Sequence, residues 1–227
     1  AGRADAEAMC ALTAEAVGCT PDEVLVCSTG LIGFPLPMDR IAPAIPTVAA
    51  ALAVDGGPAA ARAIMTTDTV PRTTVTTGPT TEGGAFTVGG VAKGAAMLEP
   101  NMATMLAVLT TDAEVDPSTA TDLLRDAVGV SFNCLTVDGA ESTNDTVLLL
   151  ASGTAGPVDT ADLGAALADA CRDLAVQMAD DAEGSTKTVF LTVTGAVSDA
   201  EAATGARDTA NCQLVKCSWY GEDPYWG

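Results

Sequence analysis

The pair Ala103-Thr104, inside "MLEPNMATMLAVLTTDAEV" (Met97 to Val115), is where this sequence is best equipped for chemistry. The chain has no histidine, so neither a Ser-His-Asp nor a Cys-His arrangement can be assembled from it, and a nucleophile needs another base. The economical device is an amino-terminal Ser, Thr or Cys whose own α-amine takes the proton, because that amine has a pKa of about 7.7–8. Such a residue must be exposed by cutting the chain. Thr104, at the mouth of an apolar strand, suits the role: the strand would hold it rigidly, and the cut would leave its amine facing a cavity. The competing reading is a strand that merely enters the core with Thr104 hydrogen-bonded to backbone. A second feature stands in "STGLIGFPLPMDRI", which places Thr29 and Gly30 in a glycine turn directly after a strand. There a hydroxyl and backbone N–H groups can face a developing oxyanion, or the glycines can simply permit a tight turn.

Composition narrows the setting. The 227 residues are 48% hydrophobic with only two Trp, two Tyr and four Phe, so a core must come from Ala, Val, Leu, Ile and Met. The 30 acidic residues against 10 basic ones give a net charge of −20, which repels nucleic acid and anionic membrane surfaces alike. Neither is an expected partner. Lysine occurs only at 93, 187 and 216. Such a surface suits solubility at high ionic strength, where self-repulsion is screened, as in a halophile; an ordinary acidic protein is the alternative. Seven cysteines, at 10, 19, 27, 134, 171, 212 and 217, form an odd set without C-x-x-C spacing, so no metal site is expected. Cys27, Cys134 and Cys171 sit in apolar stretches and read as small core residues of a reducing compartment. With no apolar run of membrane-spanning length and no signal-peptide pattern, the expected location is cytoplasmic.

The elements that must position these residues follow from hydrophobic period. Asp5 to Val17 has helical spacing, and "EVLVCSTGLIG" then predicts a strand ending in a turn. A helix restarts at Asp39, with Pro43 and Pro46 restricting its regularity. "GGPAAARAIMTTD" holds a short helix, and "RTTVTTGPTTEGGAFTVGGVAK" predicts strands separated by Gly-Pro and Gly-Gly turns. "TMLAVLTTDAEV" and "TVLLLASG" read as buried strands, and "KTVFLTVTGAV" as an alternating one. Helices are expected after Asp116 or Ser118 as N-cap, over "DTADLGAALADACRDLAVQMADD", and over "SDAEAATGARDTANCQLVK". This alternation predicts an α/β or layered α+β sandwich of mixed sheets flanked by helices. No linker or low-complexity stretch divides the chain.

Six motifs carry a resemblance. "STGLIGFPLPMDRI", "IMTTDTVPR", "KGAAMLEPNMATMLAVLTTDA", "TVDGAESTNDTVLLLASG", "DDAEGSTK" and "LVKCSWYGEDPYWG" occur in this order and at similar spacing in the ornithine acetyltransferase family, the glutamate N-acetyltransferases of arginine biosynthesis. The resemblance runs from end to end. It implies an ornithine-acetyltransferase-like fold and a precursor that cleaves itself between Ala103 and Thr104. Residues 1–103 would then be the carboxyl-terminal part of an α chain, and 104–227 the amino-terminal part of a β chain. The two would stay together, as a heterotetramer.

The same resemblance assigns roles. Thr104 would take acetyl from N2-acetylornithine as an ester and give it to glutamate, a ping-pong cycle that needs no cofactor; some members also accept acetyl-CoA as donor. Thr29 and Gly30 match the oxyanion-hole pair. Lys93 matches a substrate-contacting lysine suited to an α-carboxylate, Thr67 a substrate-binding threonine with Thr66 as fallback, and Glu183 a substrate-binding glutamate able to pair with the ornithine δ-ammonium. The chain starts without Met and lacks the family's terminal regions, so it reads as an internal segment. Two other readings stand beside the transferase: an amidase or aminopeptidase using the same threonine with water as acceptor, and an inactive fragment serving as a structural subunit.

Overall fold

A computed structural model describes residues 2–31, 33–98 and 105–224. The chain divides into two compact units, Ala1–Ala60 and Ala61–Gly227, a division no linker signalled in the sequence.

In the first unit α1 (Gly2–Val17) ends where Gly18, at φ 82°, donates to Ala14 O at 2.9 Å. This left-handed glycine satisfies carbonyls that the last turn leaves open. A capping box follows: Thr20 N–H donates to Glu23 Oε2 at 2.8 Å, opening a short 3₁₀ turn at Pro21–Glu23. The helix expected from Asp39 is α2 (Met38–Ala50), which runs through both Pro43 and Pro46 and buries no residue. Among the described residues of 23–33 the expected strand does not form. A strand needs a neighbour to take its backbone hydrogen bonds, and among the described residues of this unit none pairs with it. Leu25, Leu31 and Phe34 are left exposed.

The boundary falls within the short helix α3 (Gly57–Ala63), and the second unit is built on one mixed sheet. Strands β1 (Arg72–Pro79), β2 (Ala85–Lys93), β3 (Leu106–Glu114) and β4 (Thr146–Pro157) lie in sequence order. β1–β2 and β2–β3 are antiparallel; β3–β4 is parallel, with helix α4 (Pro117–Gly129) making the crossover that parallel pairing requires. The Asp116 carboxylate caps α4, accepting from Ser118 N–H at 3.0 Å and Thr119 N–H at 3.1 Å. Helix α5 (Thr160–Asp180) packs on β1, β2 and α4. Its Leu163, Leu167, Leu174 and Met178 are fully buried with Phe86, Val88 and Leu109 of the sheet, each such side chain contributing about 1.5–3 kcal/mol. A Cβ at Gly90 would lie 2.9 Å from Leu109 Cδ2 and 3.1 Å from Leu174 Cδ1, so β2 and α5 approach this closely only over a glycine.

The layered α+β expectation therefore holds, with a single sheet among the described residues rather than several. Two details differ. The alternating segment Lys187–Val197 forms no strand, for the same lack of a ladder partner. The closing helix is two, α6 (Asp199–Asn211) and α7 (Gln213–Gly221), with extended Cys212 between them. Of the cysteines expected in the core, Cys171 is buried, Cys27 half-buried and Cys134 exposed. Cys134 sits in a 3₁₀ turn at Phe132–Cys134 where Phe132 takes the buried position. Burial pushes the Cys171 thiol up to about 12, which makes it inert.

Candidate active site

One end of the sheet brings the second unit's candidate residues together. Lys93 closes β2 and lies opposite Leu106, the first residue of β3, which in turn lies opposite Thr146, the first residue of β4. The residues flanking this row are therefore neighbours by register: Gly94 after β2, Met105 before β3 and Asp145 before β4. Met105 is fixed on both sides, its N–H donating to Asp145 Oδ1 at 2.9 Å and its carbonyl accepting from Thr146 N–H at 3.1 Å.

Asp68 joins the rest. Its Oδ2 accepts from Thr66 N–H at 2.9 Å; its Oδ1 accepts from Gly94 N–H at 2.8 Å and from the Arg72 guanidinium. Hydrogen bonds from the residues preceding Thr67 and following Lys93 thus meet on one carboxylate. Arg72, fully buried, also donates to Gln177 O at 3.2 Å and to Asp181 Oδ2 at 2.7 Å. Asp181 accepts from Thr69 N–H at 2.9 Å and, more weakly, from Val70 N–H at 3.4 Å. Two residues on, Glu183 N–H donates to Ala95 O at 2.7 Å. Thr67, Lys93 and Glu183 are therefore linked through a buried Asp-Arg-Asp cluster and one backbone bond.

Electrostatics separates these groups. Lys93 is 3% exposed and makes no hydrogen bond or ion pair among the described residues. Burial pushes its ammonium down; Asp68 acts against that, Arg72 with it, and Asp145 against it. Burial is also the largest influence on Asp68, but the N–H groups of Thr66 and Gly94 and the Arg72 charge together hold its carboxyl below the usual range. Asp145 goes the other way. Burial pushes its carboxyl up to about 6, against the Met105 N–H, the Ser142 hydroxyl and the Lys93 charge. A lysine only 3% exposed, without a direct counter-ion among the described residues, is suited to bind an anionic group such as a carboxylate.

The expected residues fall in three places. Thr67, its fallback Thr66, Lys93 and Glu183 lie in the second unit, with Thr66, Thr67 and Glu183 exposed and Lys93 buried. Thr29, half-buried, and Gly30, exposed, lie in the irregular stretch of the first unit. Ala103 and Thr104 lie outside the described residues. Asp68 and Asp145 are site residues that sequence reasoning misses, although both stand inside the motifs "IMTTDTVPR" and "STNDTVLLL". For Asp145 the signal is an Asp directly before a strand that starts at Thr146; Asp68 stands further from β1, which starts at Arg72. A separate cleft of about 600 Å³, lined among others by Leu135, Glu183, Lys187, Arg207, Lys216 and Tyr220, takes in neither Thr67 nor Lys93. Its cations are already engaged: Lys187 with Glu222 at 2.7 Å, Arg207 with Asn133 O at 3.1 Å and Lys216 with Val137 O at 2.8 Å.

Known proteins are similar to this sequence. A crystal structure of the arginine biosynthesis bifunctional protein ArgJ from Bacillus halodurans is 41% identical, over 52% of this chain and 58% of that one, with a TM-score of 0.49. The protein of the same name from Mycolicibacterium paratuberculosis is 52% identical over 208 residues, which is 90% of this chain and 50% of the relative. That of Geobacter sulfurreducens is 47% identical over 233 residues, all of this chain and 59% of the relative. The chain thus spans about half the length of the curated relatives it matches. The ArgJ family model matches residues 1–227, and the chain belongs to the ArgJ family.

Proposed function

We propose that this chain is part of an acetyltransferase that moves acetyl from N2-acetylornithine to glutamate in arginine biosynthesis, as a self-cleaved α and β pair. The observation that carries the reading is Lys93: a lysine only 3% exposed, without a hydrogen bond or ion pair among the described residues, where β2 ends opposite the start of β3, in a chain matched throughout by the ArgJ family. In activation, Thr104 Oγ bonds to the Ala103 carbonyl carbon, the C–N bond breaks, and the hydroxyl proton ends on the Thr104 nitrogen. Water then hydrolyses the ester, leaving a carboxylate on Ala103 and a free hydroxyl and amine on Thr104. In transfer, that amine takes the Oγ proton as Oγ attacks the acetyl carbonyl, and returns a proton to the departing ornithine amine. Glutamate reverses the sequence. Thr29 and Gly30 serve the oxyanion, worth about 2.7–4 kcal/mol per donor, Lys93 and Thr67 the amino-acid head, and Glu183 the ornithine ammonium. Acetyl-CoA is a second donor to be tested in the same assay. The acidic surface fits a salt-rich cytoplasm.

The test is the intact mass of the complete protein beside Thr104→Ala, with acetyl transfer from N2-acetylornithine assayed with and without glutamate. The expected result is two species meeting at Ala103/Thr104, an uncut variant, and acetylglutamate formed only by the cut protein. An uncut wild type would leave a structural subunit, and acetate released equally without glutamate would make the protein a hydrolase.

A further inference from the structure

Thr67, Lys93 and Glu183, the residues proposed to meet the two ends of the substrate, stand on three segments far apart in sequence, 66–72, 93–95 and 181–183, and every pair of these segments is joined by a hydrogen bond. Asp68 Oδ1 accepts from Gly94 N–H at 2.8 Å, joining the first to the second. Glu183 N–H donates to Ala95 O at 2.7 Å, joining the second to the third. Asp181 closes the ring: its Oδ2 accepts from Thr69 N–H at 2.9 Å and from Arg72 Nη2 at 2.7 Å, and its Oδ1 from the Thr69 hydroxyl. Three bodies joined pairwise keep their separations; with one join removed, the other two act as a hinge. The third body is itself anchored. Asp181 is the C-cap of α5, whose Leu174 and Met178 are fully buried. Gln177 O in the last turn accepts from Arg72 Nε at 3.2 Å, which puts a cation where a helix end leaves its carbonyls open.

We propose that Asp181 is a positioning residue that sets the distance from the head-group contacts at Thr67 and Lys93 to the far-end contact at Glu183, and so makes the site selective for the side-chain length of the acetylated diamino acid. The inference rests on the functional reading above. A donor whose α-carboxylate sits at Lys93 and whose side-chain ammonium sits at Glu183 is measured end to end by the separation of those two residues. A fixed separation disfavours a chain one methylene too long by about 10–200-fold in kcat/KM; a hinged one accommodates it. Support of this kind, from residues that do not themselves touch substrate, is what holds a binding constellation in place. Of the three joins, the one at Asp181 is the one that a substitution can open without emptying the core. The Glu183–Ala95 join is backbone to backbone, and the Asp68 side chain is fully buried, whereas that of Asp181 is 13% exposed.

The experiment measures kcat/KM of the complete protein for acetyl transfer to glutamate from N2-acetylornithine and from N2-acetyllysine, one methylene longer, in wild type, Asp181→Ala and Asp181→Asn. Wild type is expected to favour the shorter donor by about tenfold or more. Asp181→Ala, still folded by far-UV circular dichroism, is expected to lower that ratio about fivefold or more, while Asp181→Asn, whose amide oxygen still accepts from Thr69 and Arg72, stays within about twofold of wild type. A merely structural aspartate would lower both donors alike, so a ratio that Asp181→Ala leaves unchanged would overturn the proposal. So would an asparagine variant as unselective as alanine, which would make the charge and not the join responsible, or a wild type that takes both donors equally. If Asp181→Ala does not fold, Thr69→Val decides, because it removes one exposed hydroxyl from the same join: a ratio lowered about twofold or more supports the proposal, and an unchanged one refutes it. A wild type that moves no acetyl from N2-acetylornithine sinks the functional reading, and this inference with it. A wild type that moves it selectively while the ratio ignores residue 181 sinks this inference alone.

Discussion

Asp68 and Asp145 stand at the same end of one sheet, both act on Lys93, and burial is the largest influence on each, yet their carboxyls move in opposite directions. The difference lies in the donors. Asp68 receives two backbone N–H groups and a buried guanidinium; Asp145 receives a single N–H and keeps one oxygen open. Desolvation is common to both, so it does not distinguish a structural carboxylate from a poised one. Saturation does. Asp68 is a joint that the fold has completed; Asp145 is one that it leaves incomplete.

The largest effect should come from breaking the completed joint. Asp68→Ala takes one of two carboxylates from the fully buried Arg72, leaving it Asp181 and the Gln177 carbonyl, and removing one partner of a buried ion pair costs up to about 3–5 kcal/mol. Urea unfolding of the complete protein should show that loss, together with a raised KM because the backbone on both sides of Thr67 and Lys93 is released. Asp145→Asn should cost little at pH 8 or raise stability. If the two variants lose stability equally, the contrast between them is wrong.

A smaller, pH-dependent effect sharpens the contrast, because the signs are opposite. The Asp145 carboxyl rises from 3.8 to about 6 on folding, so between those values the native state holds the extra proton. Stability from this group is then full below about pH 4 and falls as pH rises through 6, by at most about 3 kcal/mol and less where solvent screens it. Asp68, held below its ordinary value, contributes stability that is present above about pH 4 and lost as pH falls through its folded value. Wild type against Asp145→Asn, unfolded at pH 4.5 and pH 7.5, should differ in slope. Parallel curves would mean that Asp145 titrates as an ordinary carboxyl.

How much of this was legible follows the same physics. The strands β1 to β4 and helices α4 and α5 could be read because each carries its own period, and Asp116 could be read as a cap because its partners are two and three residues away. The stretches 23–33 and 187–197 have strand patterns too. A pattern says that a segment suits a ladder, not which neighbour supplies it, and among the described residues neither stretch is paired. Lys93 was found by resemblance and by the scarcity of lysine, and the fold buries it. Asp145 stayed hidden because its bond to Met105 spans 40 residues, and Asp68 because, beside its local partners Thr66 and Arg72, the bond that ties it to the Lys93 end spans 26.

The smallest effect on stability should come from the two threonines beside Asp68, and it tests how the joint reaches the substrate. Thr66 gives Asp68 its backbone N–H, so Thr66→Ala keeps that bond. Both side chains are exposed, and surface changes of this kind stay within about 0.5 kcal/mol. Stability should therefore hold in both variants. Kinetics should separate them: Thr67→Ala should raise KM several-fold by removing a hydroxyl from the proposed amino-acid site, while Thr66→Ala leaves KM and kcat near wild type. The reverse outcome would move the binding hydroxyl to Thr66 and leave Thr67 as the turn between two anchored backbones. Asp68 would then position its substrate residue from the adjoining peptide on one side and from Gly94 on the other.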